Sequence, residues 1–270
     1  VGKTTTKEMV ALALSAGLNV MKTQGNQNSQ VGVPLTMFQL DASYQAGVIE
    51  MGMSQFGEMA RLASIVAPQY AVMTNIGISH IENLHTQDNI LREKLHITDG
   101  FGPDSILVLN GEDPMLAGLR GRLPFRTVFV GMQPWCDYRA TDLVSHDGTM
   151  DFTAQCPGMQ VPVHLPVLGA HQVTNALAAL AIADILHVDP QAAAAALANY
   201  QPLAMRQQVH HVDGITIIDD TYNASPDAMR SSVDVLCAYS GRHVAVLGDM
   251  LELGAYSEQA HFSCGEHAAQ

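Results

Sequence analysis

The chain has 270 residues and a formal net charge of −13, with 47% hydrophobic and 14% charged positions, a composition typical of a soluble globular protein with one large or two moderate domains. It contains neither a run of about 18 apolar residues nor a secretory signal, so we expect a cytoplasmic protein without membrane insertion. The acidic balance argues against nucleic acid as a partner, and four dispersed cysteines without a CxxC pair argue against a zinc site.

Apolar runs typical of short buried strands alternate with helical patterns along the first half of the chain. The predicted elements, in order, are a helix at 5–16, a strand at 20–23, a helix at 35–40, a strand at 46–51, a helix at 58–67, a strand at 70–76, a helix at 87–98, a strand at 105–110, a helix at 114–119 and a strand at 126–130. This alternation predicts a mostly parallel sheet with helices on both faces.

The pattern changes between residues 138 and 165, where shorter alternating runs and turn signals at 146–148 and 157–158 predict a small antiparallel patch. The later predicted elements are helices at 172–186 and 190–199, a strand at 214–219, a helix at 226–239, a strand at 244–247 and a helix from residue 257 onward. We therefore predict a P-loop NTPase-like α/β domain at 1–203, followed by the start of a second, Rossmann-like α/β domain at 204–270.

The sequence Gly2-Lys3-Thr4 has the form of the end of a phosphate-binding loop. In such a loop, backbone N–H groups surround the phosphates, the lysine reaches the β- and γ-phosphates, and the next hydroxyl binds Mg²⁺. An ordinary N-capped helix is the alternative for these three residues alone. The glycine that begins such a loop would precede residue 1, so we expect the sequence to be a fragment at both ends.

Polar groups follow two predicted strands at the edge where α/β proteins bind ligands. Glu50 ends one buried strand, and a carboxylate there is costly unless it is paired or binds a metal. Asn75 and His80 follow the next strand, and Lys94 lies on a later helix. The alternatives are that His80 is a structural histidine and that Lys94 is a solvated lysine. The polar run at 23–36 is either a ligand loop or a solvated turn.

A series of motifs extends over nearly the whole chain, in the order GKTTTKEM, GNQNSQVGVPLT, EMGMSQFGEMARL, TNIGISHIENL, LREKLHI, GAHQVTNALAALAIA, IIDDTYNASPDAM and GDMLELG. Each motif is a moderate signal, but the ordered set resembles the Mur ligases. The EMGM, DDTYNASP and GDMLELG versions are most similar to the members that join D-Ala-D-Ala to UDP-MurNAc-tripeptide in peptidoglycan precursor synthesis.

The resemblance implies an ATP-dependent, ADP-forming amide ligase that works through an acyl phosphate, with ATP and Mg²⁺ as cofactors. It implies a catalytic set of Lys3, Glu50, His80 and Lys94. Lys3 would contact the β- and γ-phosphates, and Lys94 matches the lysine that the family carbamylates. The implied metal ligands are Thr4, Glu50, His80 and carbamylated Lys94. The implied nucleotide contacts are Gly2, Lys3, Thr4, Thr5, His171, Asn175, Arg206, Asp220, Tyr222 and Asn223. The implied contacts to the UDP-sugar peptide are Thr23, Gln24, Gly25, Asn26, Asn28 and Asn75.

The sequence departs from the family pattern in three respects. The N-terminal domain that binds the UDP portion and most of the C-terminal domain have no counterpart, and Met205 stands where many members have glycine. We therefore expect little activity from the isolated chain and, by analogy, a monomer. Two alternatives remain: another ligase of this fold, of the diamino acid-adding, folylpolyglutamate or cyanophycin type, and a non-catalytic nucleotide-binding module.

Overall fold

The computed structural model describes residues 1–146 and 148–270, so Asp147, in the turn predicted at 146–148, lies outside the described residues. The helices are α1 (Lys3–Leu14), α2 (Gly32–Met37), α3 (Glu58–Val66), α4 (Ile81–Leu84), α5 (Gln87–Leu95), α6 (Pro114–Ala117), α7 (Ala170–Ile185), α8 (Pro190–Leu197), α9 (Pro226–Cys237) and α10 (Ser257–Ala268). The strands are β1 (Val20–Lys22), β2 (Ala46–Val48), β3 (Tyr70–Met73), β4 (Ile106–Asn110), β5 (Arg126–Gly131), β6 (Tyr138–His146), β7 (Thr149–Cys156), β8 (Met159–Leu165), β9 (Gln208–Val212) and β10 (Ile215–Asp219). Short 3₁₀ turns occupy His96–Thr98 and Gly254–Tyr256. None of the described helices is both long and apolar enough to cross a membrane.

The central sheet has the strand order β3-β4-β5-β6-β7-β8. Strands β3 to β6 pair in parallel, whereas β6, β7 and β8 pair antiparallel. Strands β1 and β2 form a separate parallel pair. The predicted α/β class with its small antiparallel patch is therefore confirmed, and the antiparallel strands continue the parallel sheet.

Strand β4 shows why the predicted strands are continuously apolar. Ile106 and Val108 pack into a core cluster with α1 and α7, whereas Leu107 and Leu109 pack into a second cluster with α3 and α5. Because successive side chains of a strand point to opposite faces, a strand covered on both faces needs apolar residues at every position. The central parallel part of the sheet is thus buried between two helical layers.

Local capping fixes the starts of three helices at the predicted residues. The side chains of Thr86, Asp113 and Asp189 accept hydrogen bonds from backbone N–H groups in the first turns of α5, α6 and α8. Proline occupies the first turns of α6 and α8, where its missing N–H costs no hydrogen bond. Because a cap residue lies next to the helix that it caps, the sequence alone predicts where these three helices begin.

Three predicted features differ from the structure. Helix α2 begins at Gly32, within the polar run predicted as a loop. The strand predicted at 244–247 is wrong: Val246 is 93% exposed, and none of the described strands pairs with this segment to supply ladder hydrogen bonds. Strand β9 was not predicted, although Asp213 and Gly214 form a two-residue hairpin with φ of 49° and 78° between β9 and β10.

Candidate active site

A cavity of about 510 Å³ lies at the carboxyl ends of β2 and β3, beside the first turn of α1. Cations outnumber carboxylates in its wall, since Lys3, Lys94 and Arg206 face Glu50 and Glu58. The cavity wall thus contains more basic than acidic side chains, in a chain whose net charge is negative. The predicted site residues that line it are Gly2, Lys3, Thr4, Asn28, Glu50, Asn75, His80, Lys94, Arg206, Tyr222 and Asn223.

The first turn of α1 presents Lys3 and Thr4 to the cavity. Gly2 precedes the helix with φ of 76°, in the left-handed region that glycine adopts without steric cost. Among the described residues no side chain caps this helix, so the N–H groups of its first turn remain available to an anionic ligand. Burial lowers the pKa of Lys3, while the nearby Glu50 carboxylate partly offsets that effect.

Glu50 is a buried carboxylate with only one of its oxygens satisfied. Its Oε1 accepts hydrogen bonds from Thr4 Oγ1 at 3.1 Å and Asn28 Nδ2 at 2.7 Å. Its Oε2 is buried without a hydrogen-bond partner in the part of the chain that the structure describes, and Lys7 Nζ lies 4.0 Å away. A buried carboxylate oxygen without a partner is costly, and coordination of a hard divalent cation would satisfy it.

Lys94 reaches the cavity from α5. Its Nζ donates a hydrogen bond to the Asn75 carbonyl oxygen at 2.6 Å. Burial and the positive charge of Lys3 lower the pKa of Lys94 to about 7. A substantial share of this amine is therefore uncharged and nucleophilic at neutral pH.

His80 lines the cavity from the turn before α4, with backbone φ of 63° in the left-handed region. Its Nδ1 is hydrogen-bonded to a carboxylate oxygen of Glu252. Because a carboxylate accepts hydrogen bonds, Nδ1 carries a proton, and in the neutral tautomer the lone pair is then on Nε2. Within residues 1–146 and 148–270, no three His, Cys, Asp or Glu side chains form a metal-binding group. The predicted metal set thus consists of a carboxylate, a hydroxyl and an imidazole, with Lys94 as an unmodified amine.

Several predicted contacts lie outside the cavity wall. They are Thr5, Thr23, Gln24, Gly25, Asn26, His171, Asn175 and Asp220. Thr23 is fully buried, and its hydroxyl accepts a hydrogen bond from the Glu50 backbone N–H at 2.9 Å. Lys7 Nζ donates to the carbonyl oxygens of Thr23 at 2.8 Å and Gly25 at 3.2 Å. The start of this loop is therefore fastened to α1 and supports Glu50.

A chain of amide hydrogen bonds joins α1 to α7 and to the segment that follows α8. Thr6 Oγ1 donates to Asn175 Oδ1 at 3.0 Å, and Asn175 Nδ2 donates to Gln172 Oε1 at 3.2 Å. Gln172 Nε2 then donates to Gln207 Oε1 at 3.0 Å, and His171 Nε2 lies 3.2 Å from the same oxygen. Burial lowers the pKa of His171, which favours a neutral ring at pH 7. Asn175 thus holds the start of α7 beside the first turn of α1.

Sequence reasoning missed three residues of this arrangement. Lys7 follows Lys3 by one helical turn, and that spacing indicates the same helix face. Gln207 directly follows the predicted Arg206, but its contact with α7 depends on the tertiary fold. Glu252 lies in the GDMLELG motif, whose residues received no role.

Two family models cover most of the chain. Residues 1–183 match the Mur ligase middle domain, and residues 205–270 match the Mur ligase, glutamate ligase domain. The chain belongs to the Mur ligase family. Both matched ranges lie within the predicted domains, and the boundary between residues 203 and 204 stays a prediction.

Individual Mur ligases support this membership. The UDP-N-acetylmuramoyl-tripeptide–D-alanyl-D-alanine ligase of Bacillus subtilis is 36% identical over 98% of the chain and 57% of its own length. The Escherichia coli ligase of the same name is 34% identical over 99% of the chain and 60% of its length. A crystal structure of MurF from Acinetobacter baumannii superposes with a TM-score of 0.95 at 33% identity, over 100% of the chain and 60% of that protein. The crystal structure of MurF from Thermotoga maritima in complex with ADP superposes with a TM-score of 0.88 at 32% identity, over 98% of the chain and 62% of that protein. The chain thus spans about three fifths of the length of these relatives.

The two segments of this Mur ligase chain meet at the cavity. Arg206 Nη2 donates to Thr4 Oγ1 at 3.3 Å, and its guanidinium lies 3.8 Å from the centre of the Tyr222 ring. The Tyr222 hydroxyl in turn accepts from Asn26 Nδ2 at 3.0 Å. Met205 has φ of 61°, the left-handed conformation that favours glycine at this position. The second segment therefore supplies a cation to the same cavity as Lys3.

Proposed function

We propose that this chain carries the central chemistry of an ADP-forming ligase that joins D-Ala-D-Ala to UDP-MurNAc-tripeptide in peptidoglycan precursor synthesis. The names of the full-length relatives support this substrate pair. The observation that carries the proposal is the cavity in which Lys3, Glu50 and Lys94 converge. The cationic side chains would bind anionic ligands, and the unsatisfied oxygen of Glu50 would bind a metal ion.

The nucleotide phosphates would occupy the end of the cavity beside α1. Lys3 and the N–H groups of the first helical turn would bind the β- and γ-phosphates, and Arg206 would approach from the other segment. His171 and Asn175 lie at the start of α7, further along the same side of α1. They are proposed to border the base. The ADP complex of the Thermotoga maritima relative supports nucleotide binding by this fold.

The residues present fit a magnesium ion. Thr4 Oγ1 and Glu50 Oε2 would hold it, and His80 Nε2 would lie toward the same cavity. Mg²⁺ prefers oxygen ligands, so we assign it first to Thr4 and Glu50. When bound, the ion neutralises phosphate charge and so permits a carboxylate to approach ATP.

Lys94 is proposed to react with CO₂. The neutral amine adds to the carbon of CO₂ and loses a proton, so a cation becomes a carbamate anion. A pKa of about 7 supplies the neutral amine that this reaction requires. The carbamate would then add oxygen ligands to the metal side of the cavity.

In the proposed reaction, the terminal carboxylate of the tripeptide takes the γ-phosphoryl group of ATP and releases ADP. The amine of D-Ala-D-Ala then attacks the activated carbonyl, and phosphate leaves as the amide forms. The chain's own part is to hold the anions with Lys3 and Arg206 and to limit access by water through the wall containing Tyr222.

Phosphate release from MgATP tests the proposal in the full gene product that contains this chain. UDP-MurNAc-tripeptide and D-Ala-D-Ala are omitted in turn, and release is expected only when both are present. Phosphate release that depends on a different amine would show that the chain belongs to a Mur-type ligase with another substrate. ATP binding without amine-dependent release would favour a nucleotide-binding module. The cytoplasmic location and monomeric state stay predictions.

A further inference from the structure

The side-chain contact between His80 and Glu252 joins two parts of the chain that match different family domains. His80 lines the cavity, whereas Glu252 is not among the residues of the cavity wall. The carboxylate therefore takes up Nδ1 and leaves Nε2 as the ring nitrogen that could face a ligand.

Backbone and core contacts hold the loop that carries Glu252, whose side chain is 52% exposed. Its neighbours Met250 and Leu253 are each 2% exposed, and they pack with Ile78 in a small core cluster. The Glu82 backbone N–H donates to the Glu252 carbonyl oxygen at 3.3 Å. The contact with His80 is thus one of several that seat this loop against the turn before α4.

Both partners adopt a backbone conformation that is costly for residues with a side chain. The φ angle is 63° at His80 and 61° at Glu252. Such strain persists only where surrounding contacts fix it, and it concentrates at functional sites. Here the two strained residues face each other across the junction of the two segments.

We propose that Glu252 is a positioning residue that holds His80 in the Nδ1–H tautomer with Nε2 directed to the metal side of the cavity. The inference rests on the proposed function, since it assigns His80 to the metal. Carboxylates that accept the second N–H of a ligating histidine fix both its tautomer and its ring orientation. Because Glu252 comes from the C-terminal segment, His80 reaches this state only when that segment is docked. Docking and metal-site geometry are thereby coupled.

Mn²⁺ binding in the presence of ADP, followed by electron paramagnetic resonance, tests this role in the full gene product. Glu252→Ala is expected to weaken Mn²⁺ binding about 10- to 100-fold. Glu252→Gln retains an acceptor oxygen and should stay within a few-fold of the unmodified protein. Glu266→Ala removes an exposed carboxylate on α10 and serves as the matched control. Metal-free ADP binding should be equal in all four proteins.

A double-mutant cycle separates positioning from a general structural effect. In a His80→Ala background, Glu252→Ala should cause no further loss of Mn²⁺ affinity, because the residue acts through His80. Histidine ¹⁵N NMR should show His80 protonated at Nδ1 in the unmodified protein and in Glu252→Gln, and a tautomer mixture in Glu252→Ala. This readout does not depend on bound metal.

Unchanged Mn²⁺ affinity in Glu252→Ala, or an equal loss with and without His80, would overturn the inference and leave the proposed function intact. Failure of the unmodified protein to bind Mn²⁺ with ADP would overturn both. A single His80 tautomer that persists in Glu252→Ala would also reject the positioning role.

Discussion

The central region, residues 1–183, and the C-terminal region, residues 205–270, differ in how they bury apolar residues. In the central region, Leu107 and Val108 on β4 are fully buried on opposite faces of the sheet. In the C-terminal region, Ile215 on β10 is 63% exposed and Val246 is 93% exposed. Among the described residues, the apolar side chains of the central region are therefore the more completely buried.

The same division appears in the cavity. Lys3, Glu50 and Lys94 project from the buried central framework, whereas Arg206 and Tyr222 come from the less buried region. A buried framework suits groups that must hold a fixed geometry. Four tests can break or sharpen this contrast.

The largest effect is expected at Glu50. Glu50→Gln keeps the side-chain size and one acceptor oxygen but removes the charge proposed to hold the metal. We expect kcat/KM of the full gene product to fall about 10³-fold, which corresponds to about 4 kcal/mol of transition-state stabilisation. Phosphate release measures it, and Asp104→Asn, exposed and outside the cavity, is the control. A loss of kcat/KM below tenfold would show that Glu50 is not needed for the reaction.

A matched pair of core and surface changes tests where stability resides. Leu107→Ala should lower the free energy of unfolding by about 3 kcal/mol, because it leaves a cavity between two packed layers. Val246→Ala should change it by less than about 0.5 kcal/mol. Urea denaturation of both variants gives the difference. Comparable losses would show that residues 244–247 are covered in solution.

Lys94→Met tests whether the buried positive charge of Lys94 lowers the free energy of unfolding. The pKa of Lys94 is about 7 in the folded chain against an ordinary value of 10.5, so the folded state binds fewer protons between these limits. The resulting destabilisation is complete below pH 7 and disappears as the pH rises toward 10.5. The substitution should therefore stabilise the chain by about 3 kcal/mol more at pH 6 than at pH 9. Urea denaturation at both pH values checks this, with exposed Arg92→Met as a pH-independent control.

The smallest effect is expected at the junction between the regions. Met205→Gly removes the strain of a left-handed residue that is 43% exposed, and it should stabilise the chain by about 0.5 kcal/mol. Met205→Ala keeps the β-carbon and should give no gain. A difference in melting temperature between the two variants measures the effect, and equal values would show that the turn is unstrained.

Local chemistry explains which parts of this fold could be predicted. Thr86, Asp113 and Asp189 each cap a helix through neighbouring backbone groups, so a few residues contain the information. Residues 244–247 have the apolar, β-branched composition of a strand, but a strand also needs a pairing partner. The composition therefore predicts a strand at 244–247, but no strand among the described residues pairs with this segment.

The candidate site divides in the same way. Lys3 and Glu50 follow from short motifs and from their places at a helix start and a strand end. The support that Lys7 gives to the loop after β1, and the contact of Glu252 with His80 across 172 residues, depend on the folded chain. No local pattern specifies such partners, which explains why motif reasoning found the cavity residues and missed those that hold them.

The concentration of cations in one cavity of a chain with net charge −13 also affects how an anion arrives. At distances beyond the cavity mouth, a nucleotide meets the repulsive field of the acidic exterior, and it meets Lys3 and Arg206 only at short range. Salt at physiological strength screens charges over about 8 Å, so it weakens the distant repulsion more than the close attraction. If the cavity binds a nucleotide as proposed, the encounter should therefore be faster in moderate salt than in dilute buffer.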